Sequence, residues 1–458
     1  MRHTKLALAA MALAVLAGCG GSGSAPGNQT LKVQYSAQVT FGDSLSDIGT
    51  YAVGTVKALG GGKFTINGNN TAVNPALTGR NWTELVAAQL GLPAPCPAQT
   101  GLDGDASQGF SVQVENHPGC YGYAQGGARV TDPVGPGNKL TGSPLGSMTV
   151  PVVTQVANHL AATGGKFKGD EIVLVMAGGN DVLIRLDQLA AAATAAGTAA
   201  GANAYATSLV GQLAAGATDP QSAAQAISVA MATEAARPGH TDASVTQAAI
   251  GAAAVQLGDS AVASPAVYGP MVAKAQADAA AAGAKAGADY AAAHGPELIA
   301  ALGQAGTELA ALVKSQIVGK GANYVVVNNL PDVASSPSGR SQGATTQALI
   351  NAMVGAFNTA LSNNLAGEAK VLLVDVFAVS HDEAINPGPY GLTNVTDTAC
   401  DLSPARNPLG SSLVCNASNL KAGDVSHYFF ADDVHPTPFT NLLLARYVAE
   451  KMVIKGWL

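Results

Sequence analysis

The chain has 458 residues, and 23 Lys and Arg stand against 30 Asp and Glu, a formal net charge of −7. That length suffices for one large or two ordinary domains with a full hydrophobic core, and the acidic balance excludes a general affinity for nucleic-acid phosphates. Charged residues make up only 12 % while hydrophobic residues reach 48 %, a composition that excludes a disordered chain.

The N-terminus, MRHTK, is basic, and Leu6–Ala17 is an uninterrupted apolar run. As a helix it rises about 18 Å, short of the ~30 Å hydrocarbon core, so it reads as a signal h-region rather than a membrane span. The run closes on Leu16-Ala17-Gly18-Cys19, which resembles the lipobox of bacterial lipoproteins. The resemblance implies a signal peptide over 1–18, acylation of Cys19 and a membrane anchor. Gly20 after the cysteine implies delivery to the outer membrane of a bacterial envelope; with an incidental cysteine the protein is secreted instead. Residues 19–30 include Gly20–Asn28, a glycine- and serine-rich stretch expected to be a flexible tether, and 31–458 form the domain proper.

Short β-branched runs at Val33–Phe41, Glu171–Met176, Asn323–Val327 and Lys370–Val376 each lead into a loop and then helical periodicity. The last helix covers Phe439–Ile454. Near-continuous apolar strands alternating with helices predict an α/β fold, a parallel sheet covered on both faces, with ligands bound beyond the carboxyl ends of its strands. Residues 187–318 are too long for one connection, and their alanine content favours helix. Asp219-Pro220, Ser264-Pro265 and Gly295-Pro296 mark helix starts, and Leu298, Leu302, Leu309, Leu312, Val313 and Ile317 form one apolar stripe. An insertion of four or five helices is expected, with a possible role as a cap over the cleft.

Beyond Cys19, the cysteines are Cys96, Cys120, Cys400 and Cys415. An even number in an exported chain predicts two disulfides. Three connectivities exist, and loop closure favours Cys96–Cys120 and Cys400–Cys415. The absence of Cys-x-x-Cys and of nearby histidines disfavours a zinc site.

The first strand ends in Phe41-Gly42-Asp43-Ser44-Leu45-Ser46-Asp47. A serine on a strand-to-helix turn presents its hydroxyl above the sheet, beside amides that point at an incoming oxyanion. Gly258-Asp259-Ser260-Ala261 shares part of the pattern but follows no strand, and reads as a turn or helix cap. Serine needs an imidazole to take its proton and a carboxylate to orient that imidazole. Asp-x-x-His supplies both and occurs twice, at Asp424 to His427 and at Asp432 to His435. Spacing alone does not choose between them.

Together these blocks resemble the GDSL, or SGNH, hydrolase family. Gly42-Asp43-Ser44-Leu45 is similar to its first block. Gly79-Arg80-Asn81-Trp82 is similar to the helix entry that follows, and Tyr123-Ala124-Gln125-Gly126-Gly127-Ala128 to the second block, with Gly122 where asparagine is usual. Gly178-Gly179-Asn180-Asp181 is similar to the third block and Asp432-Asp433-Val434-His435-Pro436-Thr437 to the fifth. Asn386-Pro387 and Tyr390-Gly391-Leu392-Thr393-Asn394 resemble the branch of bacterial phospholipases, lecithinases and haemolysins.

The resemblance implies a three-layer α/β/α, flavodoxin-like domain and hydrolysis of carboxylic esters without metal or cofactor. It assigns Ser44 as nucleophile, His435 as base and Asp432 as orienter, leaving His427 structural. The implied oxyanion donors are the backbone N–H of Ser44, the backbone N–H of Gly127 and the side-chain amide of Asn180. Asp43 and Asp47 are expected to bond turn amides. Phospholipid-type esters compete with short-chain or O-acetyl esters as substrates, and a monomer is expected. The reading from a different class is an inactive hydrolase scaffold serving as an envelope interaction protein, with the helical insertion as its binding surface.

Overall fold

The computed structural model describes residues 32–68, 77 and 79–458. The signal segment, Cys19 and the tether lie outside the described residues. Four parallel strands form the central sheet in the order β1 (Gln38–Gly42), β4 (Ile172–Met176), β5 (Tyr324–Asn328), β6 (Val371–Val374). Their register aligns Phe41 with Val175, Val175 with Val327 and Val327 with Leu373. A fifth ribbon of chain flanks β1 on its other side: Thr40 N–H donates to Tyr121 O (2.9 Å), Tyr123 N–H to Thr40 O (2.8 Å) and Gln125 N–H to Gly42 O (3.2 Å). The chain thus steps outward from β1 in both directions, and such a reversal opens a crevice at the strands' carboxyl ends.

Side chains leave the sheet alternately. Val39, Phe41, Val173, Val175, Val325 and Val327 pack on one face with α2 (Val152–Ala162) and α7 (Ala344–Leu365). Ile172, Leu174, Met176, Val326 and Val374 pack on the other with α1 (Trp82–Gln89) and α9 (Pro438–Lys455). Helices on both faces explain why the strands read as unbroken apolar runs. The first strand begins at Gln38 rather than at Val33; ahead of it Ile172 N–H donates to Ala37 O and Ser36 N–H to Asp170 O, both at 3.0 Å, where β4 itself begins.

Two small β elements were not expected from the sequence. The antiparallel pair β2 (Gln99–Asp103) and β3 (Ser111–Asn116) lies between the joined cysteines Cys96 and Cys120, and β7 (Asn394–Thr398) pairs with β8 (Tyr428–Phe430). Cys400 and Cys415 are also joined. Cα separations of 5.1 and 6.0 Å suit both bridges, which follow the loop-closure pairing.

Four helices make the insertion: α3 (Gly179–Ala214), α4 (Pro220–Ala235), α5 (Asp242–Ala254) and α6 (Pro265–Leu312). At 1.5 Å per residue, α3 and α6 run about 54 and 72 Å. They form an antiparallel hairpin whose backbones touch at glycines: a Cβ added to Gly197 would lie 2.8 Å from Gly283 O. Leu209, Leu213, Ile227 and Ile250 close a separate core where α4 and α5 fold back. Asp219 caps α4 by accepting from Ser222 N–H, and Pro220 and Pro265 open their helices as the sequence indicates.

Gly295-Pro296 does not start a helix. Both residues lie inside α6, as does Pro270. An internal proline costs a helix about 3 kcal/mol, and here packing carries the helix through. Gly295 is buried against Leu349 of α7, and the stripe from Leu298 to Ile317 enters the core of the sheet. The last turns of α6 therefore belong to the body of the domain. Asp187 lies within α3, whose first turn is itself part of the site described next.

Candidate functional site

Gly42 closes β1 with φ +152°, and a Cβ there would stand 2.2 Å from Met176 O, so only glycine fits. Buried Gln155 of α2 clamps this glycine from both sides: its Oε1 accepts from Gly42 N–H (2.9 Å) and its amide donates to Gly42 O (2.8 Å). The chain then turns, and Ser44 emerges above the strand ends.

The Ser44 hydroxyl lies 2.8 Å from His435 Nε2, and His435 Nδ1 lies 2.8 and 2.9 Å from the two oxygens of Asp432. Burial alone would raise the Asp432 carboxyl. The adjacent His435 and the Ser412 N–H outweigh burial and hold it well below the usual carboxylate range. An ionised carboxylate only accepts, so the ring hydrogen sits on Nδ1 and Nε2 is free to accept from the serine. Asp432 also accepts from the N–H groups of Val434 (3.0 Å), His435 (2.8 Å) and Ser412 (2.7 Å). Asp433 instead is exposed, and its backbone carbonyl accepts from Ser338 N–H. In the other Asp-x-x-His, His427 stacks on Phe439 with ring centres 4.2 Å apart, and Asp424 accepts from Ser426 N–H. Phe64 packs its ring 4.9 Å from that of His435.

Gly127 adopts φ +78°, and a Cβ on it would lie 2.2 Å from Pro136 O. Its N–H and that of Ser44 have no acceptor among the described residues. Asn180, in the first turn of α3, donates one amide hydrogen to Ala128 O (2.8 Å), which leaves the second free. Ser44, Gly127 and Asn180 all line one cavity with His435. Its neighbour Asp181 accepts from Arg129 Nε (2.9 Å) and Val130 N–H (3.1 Å), a buried pair that ties the chain just after Gly127 to the helix carrying Asn180.

Asp47 performs the matching task on the other side. It accepts from Gly49 and Thr50 N–H with one oxygen and from Gly126 N–H (2.9 Å) with the other, joining the serine turn to the glycine turn. Asn81 caps α1, forms a capping box with Glu84 and donates to Asp47 O (3.0 Å). Trp82 donates to Ser46 Oγ (3.2 Å). The Gly79–Trp82 block thus buttresses the serine turn. Asp43 accepts from Leu45 N–H (3.1 Å), and burial pushes its carboxyl up to about 7 against that bond and the nearby His435.

The cavity has a volume of about 510 Å³, within the range of small-molecule sites. Leu45, Leu183, Val376, Val379, Phe430 and Leu444 give it a mainly apolar wall, and among the described residues no lysine or arginine lines it. No residue of 187–318 lines it either. Gln155 and Ser412 carried no sequence signal: one is a glutamine in an amphipathic helix, the other acts through its backbone. No protein-family model matches the chain, and no curated protein matches it at a significant level.

Proposed function

We propose that the chain is a serine ester hydrolase of the GDSL type on an SGNH-like α/β/α fold, working through an acyl-Ser44 intermediate. The observation that carries this reading is the unbroken relay from Ser44 Oγ through His435 to Asp432, with both contacts at 2.8 Å. Ser44 Oγ attacks the ester carbonyl carbon while its proton passes to His435 Nε2. Asp432 stabilises the resulting imidazolium and fixes its tautomer. Ser44 N–H, Gly127 N–H and the free amide hydrogen of Asn180 receive the developing oxyanion. The tetrahedral carbon then expels the alcohol, which takes the proton from His435. Water, deprotonated by the same imidazole, releases the acid and restores Ser44.

The apolar cavity favours substrates with a hydrocarbon portion over acetyl esters, and so favours lipid-type esters. Acylation of Cys19 and residence in a bacterial envelope complete the proposal; incorporation of an alkyne fatty acid, abolished by Cys19→Ala, tests that part. The catalytic part is tested by labelling with a fluorophosphonate probe and by hydrolysis of p-nitrophenyl esters of rising chain length. Labelling and turnover in the wild type, both lost in Ser44→Ala, are expected. A folded wild type that neither labels nor hydrolyses any ester favours the inactive interaction protein.

A further inference from the structure

Glu383 is the unexplained group in the cavity. It lies on α8 (Val376–Ile385), the helix that follows β6, and is 4 % exposed. It lines the same cavity as Ser44, beside Val379, Ser380 and Ala384. Its carboxyl forms no hydrogen bond or ion pair with any described residue, whereas the other acidic groups on that wall are engaged. Asp332 accepts from Ser335 and contacts His381 (2.7 Å), and Asp43 accepts from Leu45 N–H. The Glu383 side chain is largely buried in the cavity wall, where a carboxyl without a protein partner is costly unless something in the cavity meets it, and nothing in the relay of Ser44, His435 and Asp432 requires this one.

Glu383 enters the cavity from the β6 side: its helix follows β6, which stands three strands from β1, about 14 Å at ~4.8 Å per strand. Ser44 enters from the end of β1, so the two residues line the cavity from elements that leave opposite edges of the four-stranded sheet. We propose that Glu383 is a specificity-determining residue that recognises a hydroxyl group at the distal end of an otherwise apolar ester substrate. The inference rests on the hydrolase reading and deepens it by naming the substrate class: an ester with a hydrocarbon body and a hydroxylated tail. Burial, aided by the neighbouring charge of Asp382, pushes the Glu383 carboxyl up to about 8. At neutral pH it is a carboxylic acid that gives and takes a hydrogen bond, the complement of an alcohol. An ammonium tail calls for a carboxylate instead.

The test compares kcat/KM for p-nitrophenyl decanoate with its ω-hydroxy and ω-amino counterparts at neutral pH. Decyl acetate and its ω-hydroxy counterpart cover the case in which the alcohol part fills the cavity. Wild type is expected to prefer the ω-hydroxy member of one of the two series about tenfold, the worth of one hydrogen bond. Glu383→Leu is expected to reverse that ratio and Glu383→Gln to retain most of it, each variant first shown folded by fluorophosphonate labelling at Ser44. Wild type that hydrolyses these esters with no hydroxyl preference in either series, or prefers the ω-amino ester, overturns the inference and leaves the hydrolase reading intact. So does a hydroxyl preference that survives Glu383→Leu. Wild type that hydrolyses no ester at all overturns both.

Discussion

Replacing Asn180 by alanine separates transition-state stabilisation from binding. The amide has two hydrogens: one is held by Ala128 O at 2.8 Å, and the other, on the proposed mechanism, serves the oxyanion. Loss of one such donor removes about 2.7–4 kcal/mol of transition-state stabilisation. At 1.36 kcal/mol per decade that is roughly a hundred- to thousandfold. Because the oxyanion exists only in the transition state, kcat and kcat/KM are expected to fall together while KM stays close to wild type. The same substitution strips the fully buried Ala128 of its carbonyl's donor, which costs stability about 1–3 kcal/mol. Denaturant titration measures that second loss, and kinetics far below the unfolding midpoint measure the first. A folded Asn180→Ala enzyme whose kcat on a p-nitrophenyl ester stays within about threefold of wild type would refute the assignment of this amide to the oxyanion.

Further outcomes follow from the same geometry. Asp432→Asn is expected to lower kcat by about four orders of magnitude, through the wrong imidazole tautomer, whereas Asp433→Asn leaves activity near wild type; the reverse pattern would exchange their roles. Glu383→Gln is expected to raise the denaturant midpoint most above about pH 8. Burial raises this carboxyl from 4.5 to about 8, so the stability of the folded wild type is present below 4.5 and lost as the pH rises to 8; the gap between variant and wild type should close toward pH 4.5. Removing the Cys400–Cys415 bridge, which closes a 15-residue loop, is expected to cost about 3 kcal/mol in the chain-entropy model. It should also lower kcat, because Ser412 N–H, the donor to Asp432, lies inside that loop. Replacing Tyr205 to Ala275 by a short turn keeps the Gly197–Gly283 contact and the part of α6 that packs on the sheet; ester turnover is expected to persist, and its loss in a folded protein would implicate the hairpin in the site.

Much of this arrangement was legible along the chain because local chemistry forced it. The sheet strands betray themselves by being apolar on both faces, Pro220 and Pro265 by fitting a first helical turn, and the cysteine pairs by short loops. The relay residues were legible because each sits in a short motif beside a strand end. The failures are equally physical. Pro296 resembles a helix start to any local reading, and only the burial of Gly295 and the Leu298–Ile317 stripe against α7 and the sheet overrides it. Gln155 and Ser412 act through contacts between segments distant in sequence, and Glu383 is distinguished only by having no partner among the described residues.

The relay also has a temporal side. Ser44 and the imidazole 2.8 Å from its hydroxyl are 391 residues apart in sequence, and α9, which closely follows that imidazole, packs against the sheet. Closing so large a loop carries its entropic cost before the contact exists. A species with a formed sheet and an undocked α9 would still carry the nucleophile but have no base beside it. On the proposed hydrolase reading, ester turnover cannot recover before α9 docks, and a refolding experiment followed by ester hydrolysis compares that recovery with the formation of the sheet.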